Sequence, residues 1–327
     1  MIRSRAWLVA LITFIGGVVV GIALMREPTP THAASAPPRA SLERVVPPDD
    51  GKLRIICFGA HPDDCELQAG GTAALWASKG HHVKFVSVTN GDIGHWRDAG
   101  GPLAKRRTAE VERADKILGV TPEVLDIHDG ELMPTLDNRR TITRLIREWK
   151  ADIVMSHRPN DYHPDHRYTS TLVCDAAYMV MVPAIVPDTP HLKANPVIAY
   201  LSDDFQKPCP FQPSVAIDVS GVIDRIVAML HCHESQFYEW LPYNGGYLDQ
   251  VPRDPAARRE WLGGRVRDRL RAAAKRYRES AGVIYGAPHD GTVEYLEAFE
   301  ACEYGAPLDE AAKQRLFGFL NCRPRQV

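Results

Sequence analysis

A short apolar run with a polar turn directly behind it constrains the fold of this chain most. Leu53 to Phe58 is mostly apolar, follows charged residues and is followed by Gly59, which is typical of a buried strand in a parallel sheet. The turn after it carries His61, Asp63 and Asp64. In an open α/β sheet such turns lie at the carboxyl ends of the strands, where ligands bind. The stretch therefore predicts both a fold class and the position of a site.

A second polar cluster repeats this arrangement later in the chain. Asp152 to Ser156 is again typical of a strand, and the segment Asp161 to His166 behind it contains two histidines and two aspartates. One such turn by itself more often caps the next helix. Two of them at matching strand ends favour a shared metal site, because two imidazoles and one carboxylate are typical ligands of catalytic zinc. The sequence has no CxxC pair of the kind that closed structural sites use.

Strands and helices alternate from Lys52 onward, which predicts an α/β fold. We expect a Rossmann-like three-layer domain with a mostly parallel sheet, preceded by an N-terminal hydrophobic segment. Further strands are predicted over Val83 to Val88, Glu123 to Ile127, Pro196 to Leu201 and Ser214 to Val219, the last two closing the sheet. Helices are predicted over Gly70 to Ser78, Leu103 to Leu118, Thr141 to Trp149, Tyr168 to Met181, Val222 to His233 and Arg253 to Glu279.

The chain begins with a segment that we expect to lie outside this domain. An uncharged apolar run from Ala6 to Met25 follows two arginines and is as long as a membrane span. The basic flank predicts a membrane anchor with a cytoplasmic N-terminus and an exported domain. The alternative is a cleaved signal peptide, for which Ala34-Ser35-Ala36 is a suitable site. The predicted divisions are an anchor or signal over residues 1–26, a Pro/Ala/Ser-rich linker over 27–50 and a catalytic domain over 51–327, with a C-terminal extension from about residue 240.

The charge balance and the cysteines exclude some classes of protein. The 39 Lys and Arg residues nearly balance 41 Asp and Glu residues, so no global field would recruit nucleic acid. The seven cysteines form no dense framework. An oxidising compartment would allow a disulfide between Cys302 and Cys322. We therefore expect a small-molecule substrate and no nucleic-acid partner.

The motifs, taken in order, resemble those of the LmbE-like, or PIG-L, family of de-N-acetylases. Ala60 to Asp64, with Gly70-Gly71 behind it, is similar to the first family signature, and His163 to His166 is similar to the second. Other similar segments are Thr89 to Asp92, Arg107 to Glu110, Leu118 to Val120 and His233 to Gln236. The resemblance covers about Leu53 to Gln236. It departs at Cys65, where many members have a glutamate that this chain carries one place later.

The resemblance implies a zinc-dependent hydrolase that removes an acetyl group from an N-acetylglucosamine-type sugar or glycoconjugate. The implied Zn²⁺ ligands are His61, Asp64 and His166. Asp63 is implied as the general base that takes a proton from the attacking water. His163 would polarise the developing oxyanion or protonate the leaving amine, and Asp165 would hold its ring.

Two further residues are implied as substrate contacts. Arg107 aligns with the family's arginine, although a solvated helix charge is the alternative. His233 lies at the end of a predicted helix, where it could instead cap or pack. The segment from Trp240 onward could complete the pocket or mediate oligomerisation. Two other functions stay open, a zinc amidohydrolase acting on another small amide and a tethered sugar-binding protein without turnover, which the presence of Asp63 disfavours.

Overall fold

The computed structural model describes residues 46–278, 284–286, 293–320 and 322–323. The predicted anchor or signal, residues 1–26, lies outside this part of the chain and stays a prediction. Among the described residues, no helix has both the length and the apolar character needed to cross a membrane. Cys302 has a free thiol among the described residues; the side chain of Cys322 lies outside the description, and a disulfide between the two in an oxidising compartment stays a prediction.

Nine strands of the described chain form one sheet. They are β1 (Arg54–Gly59), β2 (His82–Ser87), β3 (Thr121–Val124), β4 (Ile153–Ser156), β5 (Val197–Leu201), β6 (Val215–Asp218), β7 (Ile284–Gly286), β8 (Leu296–Ala301) and β9 (Cys322–Arg323). Their order is β3-β2-β1-β4-β5-β8-β6-β7-β9. Strands β1 to β5 pair in parallel, as do β6 and β7, while β8 runs antiparallel to both of its neighbours and β9 runs antiparallel to β7. The prediction of an α/β fold with a mostly parallel sheet is confirmed.

Helices cover both faces of this sheet. They are α1 (Asp64–Ser78), α2 (Gly100–Leu118), α3 (Leu136–Trp149), α4 (Pro164–Met179), α5 (Ile223–Leu230), a π-helix (Ser235–Trp240), α6 (Leu241–Asn244), α7 (Pro255–Tyr277) and α8 (Glu310–Phe317). The side chains of β1 alternate between the two faces. Ile55 and Cys57 pack with residues of α1, α2, α5 and α7, whereas Ile56 and Phe58 pack with residues of α3 and α4. The core is therefore split into two layers by the sheet.

The strand order places a topological switch point between β1 and β4. From β1 the chain proceeds outward through β2 to β3, and it then returns to the other side of β1 to form β4 and β5. The carboxyl ends of β1 and β4 are level, since Phe58 pairs with Ser156. Ligands bind at such crevices in open α/β sheets. The two polar turns of the sequence meet there.

The helices α1 to α4 all begin earlier than the sequence predicts, and α1 and α4 show why. Helix α1 begins at Asp64 instead of Gly70, because the glycine pair serves a helix contact and not a helix start. A Cβ on Gly70 would lie 2.5 Å from Met229 Cε, and one on Gly71 would lie 2.6 Å from Val219 Cγ1. Helix α4 begins at Pro164 instead of Tyr168, since proline suits the first position of a helix.

The strand β8 was not predicted and corrects the expected end of the sheet. It inserts between β5 and β6, which the sequence predicted to be the last two strands. Glu297 on β8 accepts hydrogen bonds from the backbone N–H groups of Gly71 and Thr72, each at 2.8 Å, and from the Thr72 hydroxyl at 2.6 Å. The C-terminal extension therefore belongs to the central sheet.

Candidate active site

A cavity of about 530 Å³ opens at the carboxyl ends of β1 and β4. Its lining comes from the turns after β1 and β4, the segment after β5, and the π-helix with α6. Six of the predicted site residues line it, namely His61, Asp63, Asp64, Arg107, His163 and His166. Most of the site residues predicted from the sequence therefore lie together in one cavity.

Three predicted ligands bring one atom each to a common point of the cavity. His61 Nδ1 lies 3.2 Å from His166 Nε2 and 3.4 Å from Asp64 Oδ2. The third edge, from His166 Nε2 to Asp64 Oδ2, measures 3.5 Å. Tetrahedral zinc with bonds of about 2.0–2.2 Å separates neighbouring ligand atoms by roughly 3.3–3.6 Å. The triangle therefore fits a tetrahedral metal ion with its fourth position towards the cavity.

Two carboxylates that the sequence did not assign hold the histidines of this triangle. Asp161 Oδ2 lies 3.1 Å from His166 Nδ1, and Asp129 Oδ1 lies 3.1 Å from His61 Nε2. In each ring the nitrogen away from the triangle therefore faces a carboxylate. Such partners fix the ring tautomer and raise the basicity of the ligating nitrogen. Asp161 stands within the second motif, but Asp129 follows β3 with no motif around it.

His157 lies close to the triangle of His61, Asp64 and His166 but is not available as a further ligand. His157 Nε2 is 3.3 Å from Asp64 Oδ2, but it accepts the backbone N–H of Ala60 at 3.0 Å. Its ring stacks on that of His166, with centroids 4.1 Å apart and planes 9° apart. Burial and the neighbouring charge of His166 lower the pKa of His157. His157 is therefore a neutral imidazole that holds the backbone at Ala60 and packs on the ring of His166.

Asp63 occupies a strained position directly before α1. Its φ of 114° lies in the left-handed region, which is uncommon for a residue other than glycine. Strained backbone of this kind clusters at functional sites. Burial raises the pKa of Asp63 to about 7, with the charge of Arg107 acting against this and that of Asp64 adding to it. A carboxylate in this range can exchange a proton near neutral pH.

His163 is fixed as the N-cap of α4. Its Nδ1 accepts the backbone N–H of Asp165 at 3.2 Å. Burial, together with the charges of His61 and His166, lowers its pKa. Because Nδ1 accepts a hydrogen bond, the proton of the neutral ring lies on Nε2. His163 can therefore donate from Nε2.

The predicted contact between the Asp165 carboxylate and the His163 ring is wrong. Asp165 Oδ2 accepts the backbone N–H of Gly130 at 2.6 Å and lies 3.4 Å from His61 Nε2. The side chain is fully buried and turns away from His163 because α4 places it towards the loop after β3. Asp165 meets His163 through its backbone, and its carboxylate supports His61.

Arg107 is buried beneath the first motif, with 3% of its surface exposed. Nη2 donates to the Pro62 carbonyl at 2.6 Å and lies 3.6 Å from Asp63 Oδ2, while Nη1 donates to the Gly91 carbonyl at 3.1 Å. A Cβ on Gly91, whose φ is +69°, would lie 2.4 Å from Nη1. The alternative of a solvated helix charge is therefore wrong. Arg107 holds the turn that carries Asp63 and balances its charge.

His233 does not reach the cavity, so the predicted substrate contact is wrong. The residue has no exposed surface, and its Nε2 lies 3.2 Å from Glu66 Oε1. The packing alternative is confirmed. The His233 to Gln236 motif has a structural role instead. The backbone N–H and the hydroxyl of Ser235 donate hydrogen bonds to Glu110 at 3.0 and 2.6 Å, which connect the π-helix to α2.

Comparisons with known proteins identify a family and related sequences. Residues 56–177 match the family model described as PIG-L, GlcNAc-PI de-N-acetylase. The chain is 30% identical over 215 residues to a diacetylchitobiose deacetylase of Thermococcus kodakarensis, covering 61% of this chain and 78% of the relative. It is 28% identical to a 4-oxalmesaconate hydratase of Pseudomonas putida, covering 58% of this chain and 76% of that protein.

A solved structure shares the fold. The N,N'-diacetylchitobiose deacetylase of Pyrococcus horikoshii superposes with a TM-score of 0.58 and 24% identity, covering 76% of this chain and 84% of that one. At this identity the likeness concerns the fold alone.

Proposed function

This chain belongs to the PIG-L, or GlcNAc-PI de-N-acetylase, family, and from that premise we propose that it is a zinc-dependent hydrolase. Its proposed reaction removes the acetyl group from an N-acetylglucosamine-type sugar or glycoconjugate. One observation carries the proposal: the triangle of ligand atoms from His61, Asp64 and His166 lines the same cavity as Asp63 and His163. The proposed metal ligands, base and hydrogen-bond donor thus line one cavity.

Each of these residues has a separate role in the hydrolysis of an acetamide. His61, Asp64 and His166 would hold the ion, which when bound acts as a Lewis acid and lowers the pKa of a water molecule to about 7. A carboxylate oxygen of Asp63 accepts the proton of the attacking water, while Arg107 keeps that carboxylate in place. As the C–N bond breaks, the protonated Asp63 returns its proton to the leaving nitrogen, so water supplies one oxygen of the acetate and the new hydrogen of the amine.

His163 acts on the oxygen of the scissile carbonyl. Its Nε2–H donates to that oxygen as negative charge develops, which is the contribution of an oxyanion-hole donor. The lowered pKa of His163 favours this hydrogen bond over protonation of the leaving amine. The backbone of Asp165 keeps the donor on the correct nitrogen.

The hydratase relative suggests a second function, the addition of water to an unsaturated acid. Such a substrate carries carboxylates and needs cations to bind them. The cations among the described lining residues are Arg107 and Arg158. Arg158 lies 2.9 Å from Asp203 and 3.2 Å from Glu300, and Arg107 lies beside Asp63. Because both arginines already face carboxylates, these two side chains favour an uncharged substrate over a carboxylate.

An acetate-release assay tests the proposed function. Purified full-length protein would be given N-acetylglucosamine, its β-1,4-linked dimer, a small acetamide without a sugar, and an unsaturated dicarboxylic acid. We expect acetate from the sugars, loss of activity with a chelator and recovery with zinc. Acetate from the simple acetamide alone would favour the general amidohydrolase. Hydration of the acid without acetate release would replace the proposal with the hydratase, and sugar binding without any product would favour the binding protein.

We also propose that the domain is exported, with the apolar run from Ala6 to Met25 supporting this location. An alkaline phosphatase fused after Val327 should be active in a bacterial host. If it is inactive while a cytoplasmic reporter at the same point works, export is wrong. The intact mass of the membrane fraction then distinguishes an anchor from a cleaved signal.

A further inference from the structure

A stack of aromatic rings leads from the cavity to the protein surface. Trp240 lines the cavity. Its ring stacks on Tyr243, with centroids 6.1 Å apart and planes 26° apart, and Tyr243 stacks on Trp96 at 4.6 Å and 13°. Tyr243 is 48% exposed and does not belong to the cavity lining. We call Trp240, Tyr243 and Trp96 the aromatic wall.

Charged and polar side chains hold the aromatic wall rigidly. Glu239, next to Trp240, accepts hydrogen bonds from both terminal nitrogens of Arg106 at 2.7 Å and lies 3.0 Å from His95 Nε2. The His95 ring stacks on Trp96 at 4.2 Å. Its Nδ1 accepts the backbone N–H groups of Arg97 and Asp98. Both nitrogens of His95 are therefore committed to holding the loop, which leaves neither for a metal.

The π-helix itself is tied to the same loop. Gln236 Nε2 donates to the Gly94 carbonyl at 3.2 Å. Single turns of π-helix often mark functional sites. A wall that is fixed before the ligand arrives avoids the cost of ordering side chains on binding.

The other side of the cavity mouth is also aromatic. Tyr162 lines the cavity although 74% of its surface is exposed, and its ring lies 6.2 Å from that of Phe205. The amides of Gln236 and Asn244 line the cavity on the side of the wall. A pyranose ring presents an apolar C–H face and a rim of hydroxyl groups. Aromatic surface with a few polar groups beside it, and cations already paired, is complementary to such a neutral ring.

We propose that the aromatic wall is a subsite for a second, uncharged sugar unit. The inference rests on the proposed deacetylase function and narrows its substrate class to N-acetylated oligosaccharides or glycans. The reacting unit lies at the triangle of His61, Asp64 and His166, and its neighbour packs on Trp240, whose position Tyr243 and Trp96 support by stacking.

Binding and turnover together test this subsite. Binding of N-acetylglucosamine and of its β-1,4-linked trimer would be measured by calorimetry on the zinc-loaded, full-length Asp63→Asn variant, and kcat/KM would be measured on the zinc-loaded wild type. We expect the trimer to be preferred at least tenfold in both measurements. Adding Trp240→Ala should reduce this preference about tenfold, and Trp240→Phe should retain most of it. Tyr178→Ala, which removes a 68% exposed ring at the far end of α4, is the matched control and should leave the preference unchanged.

The outcomes separate the subsite from the reaction. Acetate release with equal preference for monomer and trimer overturns the subsite and leaves the deacetylase intact. Loss of both ligands by the same factor in Trp240→Ala also overturns it, since the residue would then serve only the reacting unit. Trimer binding that depends on Trp240, without acetate from any sugar, overturns the deacetylase and keeps the subsite. Tyr243→Ala, which removes the ring on which Trp240 stacks, provides the same comparison should Trp240→Ala fail to fold.

Discussion

Among the described residues, two buried clusters that combine histidine with carboxylates differ in access, since one lines the cavity and the other does not. In the open cluster, His61, Asp64 and His166 bring three atoms within 3.2 to 3.5 Å of one another. The closed cluster consists of Glu66, Asp115 and His233. All three are at most 1% exposed, and within the described residues neither oxygen of Asp115 has a hydrogen-bond partner.

The comparison shows that residue type and burial do not by themselves mark a functional site. In the open cluster the outward nitrogens face Asp129 and Asp161, so the remaining lone pairs converge on the cavity. In the closed cluster His233 Nε2 lies 3.2 Å from Glu66 Oε1, and the residue does not line the cavity. Burial raises the pKa of Asp115 well above its ordinary value, and the charge of Glu66 adds to this. A buried carboxyl of this kind lowers the free energy of unfolding and takes no part in the proposed reaction.

Substitutions in the two clusters should differ most in their effect on metal content. Asp64→Ala or His166→Ala should reduce bound zinc from about one ion per chain to almost none, because each removes one of three protein ligands. Deacetylation should fall to background in the same preparations. Asp115→Ala is the matched control, since it removes an aspartate of the closed cluster that is more deeply buried than Asp64, and it should retain the metal. Full metal in both ligand variants, measured by elemental analysis, would show that the ligand assignment is wrong.

The next effect separates two adjacent aspartates of the open cluster. Asp63→Asn preserves size and polarity but cannot accept the proton of water. We expect the variant to keep its zinc and its fold and to lose turnover by roughly a hundredfold to ten-thousandfold. Metal content, circular dichroism and rate would be compared on one preparation. A zinc-free variant, or a zinc-loaded one with full activity, would contradict the role of Asp63 as base.

A stability effect without a metal effect is expected in the closed cluster. His233→Ala removes the partner of Glu66 and should lower the free energy of unfolding by about 3–5 kcal/mol, the cost of leaving one member of a buried pair alone. Urea unfolding measures this change, and elemental analysis should find the metal retained. His128→Ala removes an imidazole with 68% of its side chain exposed and should change stability far less. Equal effects of the two substitutions would show that His233 has no stabilising partner.

The smallest effect depends on pH. A carboxyl whose pKa is raised in the folded state favours folding at low pH, and its ionisation costs stability as the pH rises above its unfolded pKa of about 3.9. Asp115→Asn cannot ionise, so it should be more stable than the wild type at pH 8, by roughly 1–3 kcal/mol. The gain should shrink as the pH falls towards 4. Urea unfolding at several pH values checks this, and a gain independent of pH would argue against a buried, ionising Asp115.

The sequence predicted the open cluster because its determinants are local. Each motif follows directly after a strand, and parallel strands bring their carboxyl ends to one edge. His61 and His166 lie close together because their strands are neighbours in the sheet. Asp129 could not be predicted in the same way, because it follows β3 without a motif and reaches His61 only after folding. His233 was misassigned because a motif shows that a histidine is present but not whether it faces a cavity.

The fold shows the same limit. The strands of the parallel half were predicted to within a few residues because each is a short apolar run between turns. The strand β8 was missed, although its position between β5 and β6 is fixed by the contact of Glu297 with Gly71 and Thr72. These partners are more than 220 positions apart, and local periodicity carries no information about such a contact. The start of α1 was missed for a related reason, since its glycines serve a contact with residues far along the chain.

We propose that the open cluster, and not another group of histidines and acids, binds the catalytic metal. Crystallographic anomalous diffraction at the zinc absorption edge tests it most directly, on the zinc-loaded wild type. We predict one strong peak at roughly 2.0–2.2 Å from His61 Nδ1, Asp64 Oδ2 and His166 Nε2. A peak between His95 and Glu239, or no peak within the triangle in protein that contains zinc, would contradict the account.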